Sequence, residues 1–451
     1  MTTVSPGPAS PLSSPGRPET PPGVPPRQNL KRVASAAAIG NFVEWFDSAA
    51  YAVMSVTIAA LFFPEFSVTA GLLATWAIFA GGFIARPLGA AFFGRYGDRI
   101  GRNKMLGLCV IIMSAATFCI GVLPTFDTIG VLAPILLFLF RAVQGFTTGG
   151  EYTGSAAFIV EYAPAGKRAL YASVIPVTVG LATVAGALLG AGLSASLSDE
   201  SMAAWGWRVP FLLAAPLGLI GLYIRSKVDD TPVFREMKET GTVVKKPLSE
   251  AIRQCSRQIF TLFGYSITNA VGYYLMSSYM IAYMTKELHY SAAESMLTSV
   301  VAMLAYSFAC PLMAALSDRF GRRPMLIAAC LGFVVVTIPA FSMMSLGLGY
   351  AMLGTSMLAM LVAVIGTSNV PALVEMFPSS VRTSGAAIGY TLAYVLFGGT
   401  APFVATGLVA GTGNALAPGF YLMAVAVIST LVVVFFFQET KHLSLRRNTV
   451  R

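Results

Sequence analysis

The amino-acid sequence predicts an all-α membrane protein with twelve transmembrane helices arranged as two similar halves. Composition is the first observation behind this fold class. The chain has 451 residues, of which 56% are hydrophobic and 11% charged, whereas a soluble protein carries about 25% charged residues. Lipid rather than water is therefore expected to surround most of the surface. An internal repeat is the second observation, because repetition at a fixed offset indicates a duplicated architecture.

The repeat consists of a glycine-rich, charged turn between two apolar stretches. The first copy reads GRYGDRIGR at residues 94–102, and the second reads AALSDRFGRR at residues 314–323, roughly 220 residues later. A second pair repeats at nearly the same offset, with EYAPAGKR at 161–168 and EMFPSSVR at 375–382. Two membrane-embedded halves of similar design are typical of transporters whose halves move about a central site.

Twelve apolar stretches are long enough to cross about 30 Å of hydrocarbon. We number them segments 1 to 12, at about residues 33–63, 69–93, 105–123, 130–160, 170–196, 207–225, 257–285, 293–316, 325–344, 347–375, 383–409 and 417–437. The predicted organisation is a disordered N-terminus (1–30), a six-helix bundle (31–225), a linker (226–256), a second six-helix bundle (257–437) and a short tail (438–451). Residues 1–30 are rich in Pro and Ser, which disfavours a folded core.

Lysine and arginine predict the orientation of these segments. They concentrate before segment 1, in the 2–3, 4–5 and 8–9 turns, in the linker and in the tail, while the opposite turns are mostly acidic. By the positive-inside rule both termini are expected to be cytoplasmic. The net charge of +10 then reflects membrane topology, so no nucleic-acid partner is expected.

Five charged residues lie inside predicted segments of the first half. A charge at membrane depth costs about 3 kcal/mol or more, which makes each a functional candidate. Glu44 and Asp47 share one helix face, and two carboxylates so close in a low dielectric cannot easily ionise together, which favours proton binding. Arg86 and Arg141 are the available counter-charges. The alternative is a static ion-pair cluster that joins segments 1, 2 and 4. The predicted proton-coupling residues are Glu44, Asp47, Arg86, Arg141 and Glu151.

Segment 7 is unusually polar and aromatic for a lipid-embedded helix. Asn269 and Tyr273 are four residues apart and are expected to face one cavity. Tyrosine rings attract quaternary ammonium groups by about 0.5–2 kcal/mol each, and amide or hydroxyl groups can bind a carboxylate. The alternative is that these rings only pack helices together. The predicted substrate-binding residues are Asn269, Tyr273, Tyr274, Tyr390, Tyr394 and Trp76.

The duplicated turns are predicted to lock one conformation and to release it in another. Glycines allow the chain to reverse tightly, and an acid in the turn can face a neighbouring helix N-terminus. For Asp98, the expected neighbour is the start of segment 11. The alternative is a loop that only sets topology. The predicted gating residues are Asp98, Arg99, Arg102, Asp318, Arg319 and Arg322.

These motifs resemble those of the major facilitator superfamily, from about residue 31 to 440. The stretches GNFVEWFD at 40–47, RPLG at 86–89 and R-x-x-Q-G-x-x-x-G-G-E-Y-x-G at 141–154 are similar to the metabolite:proton symporter branch. The resemblance implies a proton-coupled importer in a bacterial inner membrane, in which Arg141 matches an arginine implicated in proton coupling. It also implies proline or betaine as the substrate, or alternatively an organic acid such as α-ketoglutarate, citrate or shikimate.

The residues favour a zwitterion over a dianion, because segment 5 contains no Lys or Arg to anchor a second carboxylate. A non-transporting receptor on the same scaffold is an alternative from another class. No enzyme is expected, because no Ser/His or paired metal-ligand constellation lies in the segments. The five cysteines are widely spaced, so no metal is expected. The expected partners are a small solute and lipid, the coupling ion is a proton, no cofactor is expected, and one chain is expected to suffice.

Overall fold

A computed structural model of the chain describes residues 27–100, 102–148, 151–226, 247–378 and 381–445, and this part consists of helices joined by turns. The predicted disorder of the N-terminus falls mostly outside the described residues, and the first helix begins at Arg27. The side chains of Asp98, Arg99, Arg102 and Glu151 also lie outside the described part.

Segments 1 to 6 correspond to an ordered series of helices and short turns. Segment 1 comprises Arg27–Val53 and Ser55–Phe62, segment 2 Val68–Ile100, segment 3 Arg102–Val122, segment 4 Leu132–Thr148 and Glu151–Tyr162, segment 5 Arg168–Ala172 and Val174–Ser196, and segment 6 Val209–Leu212 and Ala214–Ser226. Short helices at Phe126–Ile129 and Asp199–Ala204 and a 3₁₀ turn at Gly206–Arg208 lie between them.

Segments 7 to 12 follow in the same manner. Segment 7 comprises Pro247–Tyr274, a π-helical turn at Leu275–Tyr279 and Met280–Lys286; segment 8 Ala292–Phe320; segment 9 Arg322–Met343 with a 3₁₀ turn at Met344–Leu346; segment 10 Leu348–Glu375; segment 11 Arg382–Ala393, a π-helical turn at Tyr394–Gly398 and Ala401–Thr412; and segment 12 Ala417–Phe436. The two π-helical turns both fall in segments predicted to bind substrate, and such turns are frequent at functional sites.

Nine helices of the described part are long and apolar enough to cross a membrane: Val68–Gly89, Leu132–Glu161, Arg168–Ser196, Gly206–Tyr223, Ala292–Phe320, Arg322–Leu346, Leu348–Glu375, Arg382–Thr412 and Ala417–Phe436. Segment 1 makes a tenth if its two helices, which meet at 60°, count as one span. Large apolar side chains such as Phe308, Val335 and Phe435 are at least 70% exposed on the outside of the molecule, as a lipid-facing surface requires.

Two segments differ from the prediction. Segment 1 is bent at Met54 rather than continuous, and no proline marks the break. The helix of segment 7 begins at Pro247, inside the stretch predicted as linker, and a non-helical Cys255 (φ −125°, ψ 25°) separates this extension from the rest. Proline at the first position of a helix favours its initiation, because the ring presets φ and that N–H needs no partner.

The segments pack against one another both within each half and between the halves. Segment 2 lies along segment 4 and segment 1 along segment 5, while in the second half segments 8 and 9 lie along segment 10, and segments 11 and 12 along segment 7. Segment 5 also lies along segment 8, and segment 2 contacts segment 11. The two halves of the chain therefore meet along their length, and the candidate site lies where they meet.

One turn at the end of the molecule where segments 8 and 9 join shows why the duplicated motif contains glycine. Gly321 has φ +108°, a conformation that residues with a Cβ rarely adopt. We call this end of the molecule, which carries the turns between segments 4–5 and 8–9, the basic end.

Candidate functional site

Asp47 of segment 1 lies at the centre of a buried hydrogen-bonded cluster. Its Oδ2 is 3.2 Å from Nη1 of Arg141, and its Oδ1 accepts hydrogen bonds from Nε2 of Gln144 and Oγ1 of Thr117, each at 2.7 Å. Asp47 and Arg141 are each only 4% exposed, so water screens their interaction little. Segment 1 thus supplies the carboxylate, and segments 3 and 4 supply the side chains bonded to it.

The guanidinium group of Arg141 is fixed by more than the carboxylate. Its Nη1 donates to Oε1 of Gln144 at 2.8 Å, and its Cζ lies 4.2 Å from the ring centre of Tyr51 and 5.1 Å from that of Phe79. The Tyr51 hydroxyl donates to the carbonyl oxygen of Thr75 at 2.8 Å, which holds that ring in place. Cation–π contacts in a desolvated site contribute about 2 kcal/mol, so the arginine has a defined position.

Glu44 and Arg86 line the same small cavity as Asp47 and Arg141. The space between these side chains has room for little more than a single water molecule. The Cζ of Arg86 is 4.0 Å from the ring centre of Phe83. The structure therefore brings together four of the five residues predicted to couple protons, two acids and two bases, while the side chain of Glu151 lies outside the described part.

The five aromatic residues predicted to bind substrate belong to one continuous cluster of rings. Ring centres are 4.1 Å apart for Tyr390 and Tyr394, 6.2 Å for Tyr394 and Tyr274, and 5.4 Å for Tyr274 and Tyr273. Trp76 joins the cluster through Phe79, at 5.8 Å. We call these rings, together with the neighbouring residues described next, the aromatic cluster.

Three aromatic residues that sequence reasoning did not assign extend the aromatic cluster. The ring of Tyr152 stacks on that of Tyr390 with centres 4.7 Å apart, Trp45 lies 5.1 Å from Tyr273, and Tyr306 lies 6.2 Å from Tyr273. Tyr152 and Trp45 come from the first half of the chain and Tyr306 from the second. The rings therefore form a contact surface between the halves.

Polar contacts orient the tyrosines of this cluster. The amide Nδ2 of Asn269 donates to the Tyr394 hydroxyl at 2.8 Å. The hydroxyls of Tyr273 and Thr183 are 3.0 Å apart, which is a hydrogen bond between segments 7 and 5. A second small cavity, lined by Trp45, Ser48, Ala49, Thr183, Tyr273, Tyr274, Ser277 and Ser278, lies beside this contact. Hydroxyl groups and aromatic faces together can bind an anionic group and a quaternary ammonium group of one solute.

The hydrogen-bonded residues around Asp47, which we call the Asp47 cluster, meet the aromatic cluster at Phe79. Its ring centre is 5.1 Å from Cζ of Arg141 and 5.9 Å from the ring centre of Tyr274. Phe83, one turn further along segment 2, contacts both Arg86 at 4.0 Å and Tyr274 at 5.2 Å. Phe79 and Phe83 therefore each contact both an arginine and a tyrosine ring of the predicted substrate site.

Charged residues at the basic end join the two halves. Asp318 accepts hydrogen bonds from the backbone N–H groups of Ala169 and Leu170, at 3.0 and 2.9 Å, and from Nη1 of Arg322, at 2.9 Å. Arg322 also binds Glu375 through two bonds of 3.1 and 3.2 Å. Two of the predicted gating residues, Asp318 and Arg322, are thus in one network.

Two further arginines connect the same network to the tail. Arg168 binds Glu375 at 3.1 Å and the carbonyl oxygen of Leu443 at 3.0 Å. Arg382 binds Glu161 at 2.6 Å and the carbonyl oxygen of Leu445 at 2.5 Å. Arg319, also predicted to gate, instead lies over the ring of Phe320 at 5.4 Å. For Asp98, Arg99 and Arg102 the predicted contacts fall outside the described side chains.

Some residues of these clusters could have been identified as candidates from the sequence. Gln144, Trp45 and Tyr152 all fall within the motifs that carry the family resemblance, although no role was assigned to them. Thr117 carries no such signal, because a threonine in an apolar helix usually bonds only its own backbone. In the part of the chain that the structure describes, no group of three or more His, Cys, Asp or Glu residues is placed to hold a metal ion.

Comparison with known proteins places this arrangement in a class of membrane transporter. A family model described as "Sugar (and other) transporter" matches residues 33–246 and 235–449. The structure is similar to that of the major facilitator superfamily proton:xylose symporter XylE bound to 6-bromo-6-deoxy-D-glucose, with a TM-score of 0.75, 18% sequence identity, and coverage of 93% of this chain and 98% of that one. The chain therefore belongs to the sugar (and other) transporter family of the major facilitator superfamily, and it is a multi-pass membrane transporter rather than an enzyme.

Two relatives are more similar in sequence. The proline/betaine transporter of Escherichia coli (strain K12) is 37% identical over 418 residues, which cover 89% of this chain and 82% of the relative. The glycine betaine/proline/ectoine/pipecolic acid transporter OusA of Dickeya dadantii (strain 3937) is 36% identical over 434 residues, which cover 93% and 85%. The family resemblance predicted from the motifs is thereby confirmed.

Proposed function

We propose that this protein imports a small zwitterionic osmolyte, proline or glycine betaine, together with a proton by alternating access. The observation that carries the proposal is the position of Phe79 between Arg141 and Tyr274. It joins a carboxylate–arginine pair suited to proton binding to a cluster of rings suited to an ammonium group. A displacement of Arg141 would therefore be transmitted through the Phe79 ring to Tyr274.

The substrate class is supported by charge as well as by the relatives. The cavity beside Asp47 is lined by two acids, Glu44 and Asp47, and two bases, Arg86 and Arg141, so their formal charges sum to zero. A zwitterion adds no net charge to such a site, whereas a dianion would require unpaired cationic anchors. Three relatives at 33–37% identity are named for proline, betaine or ectoine.

Within this proposal the aromatic cluster binds the solute and the Asp47 cluster binds the proton. Tyr273, Tyr274, Tyr390, Tyr394 and Trp76 present ring faces to a quaternary or secondary ammonium, and Asn269 orients Tyr394. A proton on Asp47 weakens its ion pair with Arg141, which frees the guanidinium to move against Phe79. The competing interpretation, in which the rings only pack the halves together, predicts no dependence on substrate chemistry.

The proposed topology has twelve membrane spans, with both termini in the cytoplasm of a bacterial cell and the chain in its inner membrane. The bent segment 1, the shorter apolar helix Gly107–Val122 of segment 3 and the polar segment 7 would supply the three spans beyond the nine that length and composition identify. The basic turns support the orientation. A single chain contains the whole proposed site, which supports function as a monomer.

Alternating access requires that one end of the site be closed while the other opens. The network of Asp318, Arg322, Glu375, Arg168 and Arg382 closes the basic end, because it ties segments 5 and 4 of the first half to segments 8, 10 and 11 of the second. Both cavities beside the aromatic cluster are too small for a solute. Substrate entry would therefore require the halves to separate at the opposite end.

The test is uptake into proteoliposomes under an imposed inward proton gradient, with labelled glycine betaine, proline, α-ketoglutarate and shikimate offered separately. Betaine or proline uptake that a protonophore collapses is the expected result. Uptake of an organic acid alone would replace the substrate assignment and move the binding site towards Arg86 and Arg141. Uptake insensitive to the protonophore would remove proton coupling.

Asp47→Asn tests the proton site in the same assay. This variant is expected to abolish accumulation against a gradient while substrate exchange continues, because exchange needs no net proton movement. Glu65→Gln, at an exposed acid in the turn after segment 1, is the matched control and should accumulate substrate normally. Normal accumulation by Asp47→Asn would assign the coupling to another group.

A further inference from the structure

The hydroxyl of Thr117 in segment 3 occupies an unusual position. Its Oγ1 lies 2.7 Å from Oδ1 of Asp47, 2.7 Å from Nε2 of Gln144 and 2.9 Å from the carbonyl oxygen of Met113. The residue is 1% exposed, so water does not compete for these bonds. Three polar atoms therefore surround a single hydroxyl.

The hydrogen-bond donors and acceptors around Thr117 allow two directions for its hydroxyl hydrogen. A hydroxyl has one hydrogen to donate and two lone pairs to accept. The amide of Gln144 donates to Oγ1, which uses one lone pair. The hydroxyl hydrogen can then point at either of two acceptors, the carboxylate of Asp47 or the carbonyl oxygen of Met113, but not at both.

The protonation state of Asp47 decides between these two orientations. When Asp47 is ionised, the Thr117 hydroxyl donates to Oδ1 and helps to stabilise the negative charge. When a proton is bound on Oδ1, that O–H can donate to the second lone pair of Thr117, and the threonine hydrogen turns to Met113. Thr117 keeps its own hydrogen throughout, and the heavy atoms need not move.

The other groups around Asp47 cannot change direction in this way. Arg141 of segment 4 has only donors, and the Gln144 atom that faces Asp47 is an N–H donor whose partner oxygen already accepts from Arg141. Tyr51 donates to Thr75, and Glu44 and Arg86 line the same cavity as Asp47. Among the three side chains bonded to Asp47, Thr117 is the one that fits both protonation states.

We propose that Thr117 is a positioning residue for proton coupling, a rotating hydroxyl that hydrogen-bonds Asp47 both with and without its proton. The inference rests on the proposed function, because it assigns the mechanism by which the proposed proton site keeps its partners satisfied. A buried polar group without a partner is costly, so this rotation lets Asp47 bind and release a proton without leaving either form unpaired.

The test compares Thr117→Val, which keeps the shape and removes the hydroxyl, with Thr117→Ser, which keeps the hydroxyl. In proteoliposomes, Thr117→Val is expected to lower proton-driven accumulation about tenfold. It should also raise the pH of half-maximal accumulation by about one unit, because ionised Asp47 loses the stronger, charge-assisted hydrogen bond. Substrate exchange should be unchanged, and Thr117→Ser should remain within about twofold of the wild type.

Thr406→Val is the matched control, because Thr406 is also buried and bonds the carbonyl four residues earlier, that of Pro402, at 2.8 Å. It should keep the wild-type pH profile. A wild-type pH profile for Thr117→Val, or a Thr117→Ser profile like that of Thr117→Val, would overturn the inference. If Thr117→Val does not fold, Thr117→Cys takes its place, because a thiol is only a weak donor, and it should show a smaller shift of the same sense.

A second readout separates this inference from the proposed function. Infrared difference spectra of the purified protein report the band of a protonated carboxyl group, which is assigned to Asp47 by its loss in Asp47→Asn. This band should shift in Thr117→Val and stay in place in Thr117→Ser. If the band shifts in Thr117→Val but the protein takes up no substrate, only the transport assignment is refuted. If the band does not shift in Thr117→Val, the role of Thr117 is refuted.

Discussion

Arg382 and Glu161, which are 221 residues apart in the chain, form an ion pair of 2.6 Å between segment 11 and segment 4. The corresponding pair of motifs, EYAPAGKR and EMFPSSVR, also supplies Arg168 and Glu375, which bind each other at 3.1 Å. Each motif therefore provides an acid and an arginine, and each arginine binds the acid of the other half. The repeat that is visible in the sequence becomes a reciprocal set of ion pairs across the basic end.

Asp318 is expected to be the most important carboxylate of this network for keeping the basic end closed. Removal of its side chain in Asp318→Ala leaves the N–H groups of Ala169 and Leu170 without their acceptor. These amides should then exchange with deuterium at least about tenfold faster, since one charged hydrogen bond contributes about 1.5–3 kcal/mol. Hydrogen exchange measured by mass spectrometry over residues 168–172 reports this directly.

Asp127→Ala provides the control for Asp318→Ala. Asp127 is an exposed acid in the short helix Phe126–Ile129 between segments 3 and 4, so its removal should not change exchange at residues 168–172. Equal exchange in wild type and Asp318→Ala would show that the segment 5 amides are protected by something other than this carboxylate, and the gating role of Asp318 would then be withdrawn.

Helical spacing was sufficient to group residues within one segment. Glu44 and Asp47 were placed on one face because of the helix period, and both line the same cavity. Tyr390 and Tyr394 were grouped for the same reason, and their rings stack. The helix period alone places residues three or four apart on one face, so such pairs do not depend on how the helices pack together.

Contacts between segments could not be predicted in this way. Tyr152 and Tyr390 are separated by 238 residues, and only the packing of segment 4 against segment 11 brings their rings together. Thr117 reaches Asp47 because segment 3 packs beside segment 1 at that depth. The bend at Met54 also had no sequence signal, since neither proline nor glycine lies there.

Tyr273 is expected to recognise the ammonium group of the substrate rather than its carboxylate. Tyr273→Ala should weaken binding of glycine betaine by about 2- to 30-fold, the range that corresponds to a cation–π contact of 0.5–2 kcal/mol. A solute that carries a carboxylate but no ammonium group should lose less. Equilibrium binding of both solutes to the purified protein measures the difference.

Two control variants distinguish the contribution of the Tyr273 ring from that of its hydroxyl and from the loss of a tyrosine outside the site. Tyr273→Phe keeps the ring but loses the hydrogen bond to Thr183, so it should retain most of the affinity for glycine betaine. Tyr350→Ala removes an exposed tyrosine on the outer surface and should have no effect on binding. Equal losses for both solutes in Tyr273→Ala would remove the cation–π contribution.

Gly145 is expected to be irreplaceable because segments 2 and 4 are in backbone contact at this point. A Cβ added to Gly145 would overlap the carbonyl oxygen of Gly82, which belongs to a helix backbone and cannot move aside. Gly145→Ala should lower the free energy of unfolding by about 1–3 kcal/mol and separate Arg141 from Phe79. Thermal unfolding in detergent measures the loss.

Gly154→Ala in the same segment is the control for Gly145→Ala. A Cβ at Gly154 meets no atom within 4 Å, so this substitution should leave stability unchanged or raise it slightly, because alanine favours the helical state over glycine by about 1 kcal/mol. If Gly145→Ala were as stable as Gly154→Ala, the segments could separate without cost and the close approach would have no structural importance.

Glu439, just after segment 12, is expected to make the stability of the basic end depend on pH. Burial acts to raise the pKa of Glu439, but the backbone N–H groups of Arg322, Lys441, Arg323 and Thr440 donate to its carboxylate and lower that pKa on balance. A carboxyl with a lowered pKa stabilises the fold fully above its unfolded pKa of about 4.3, and this contribution is lost as the pH falls through the folded pKa.

Glu439→Gln should therefore be less stable than the wild type near pH 7, and the difference should disappear at strongly acidic pH. Because Glu439 is partly exposed, we expect a difference of no more than about 1 kcal/mol. Thermal unfolding of both proteins in detergent across this pH range measures it, with Glu65→Gln as the control for loss of an exposed carboxylate. The carboxylate bonds the first residues of segment 9 from a position after segment 12, so a constant difference at every pH would mean that its shape rather than its charge joins these two segments.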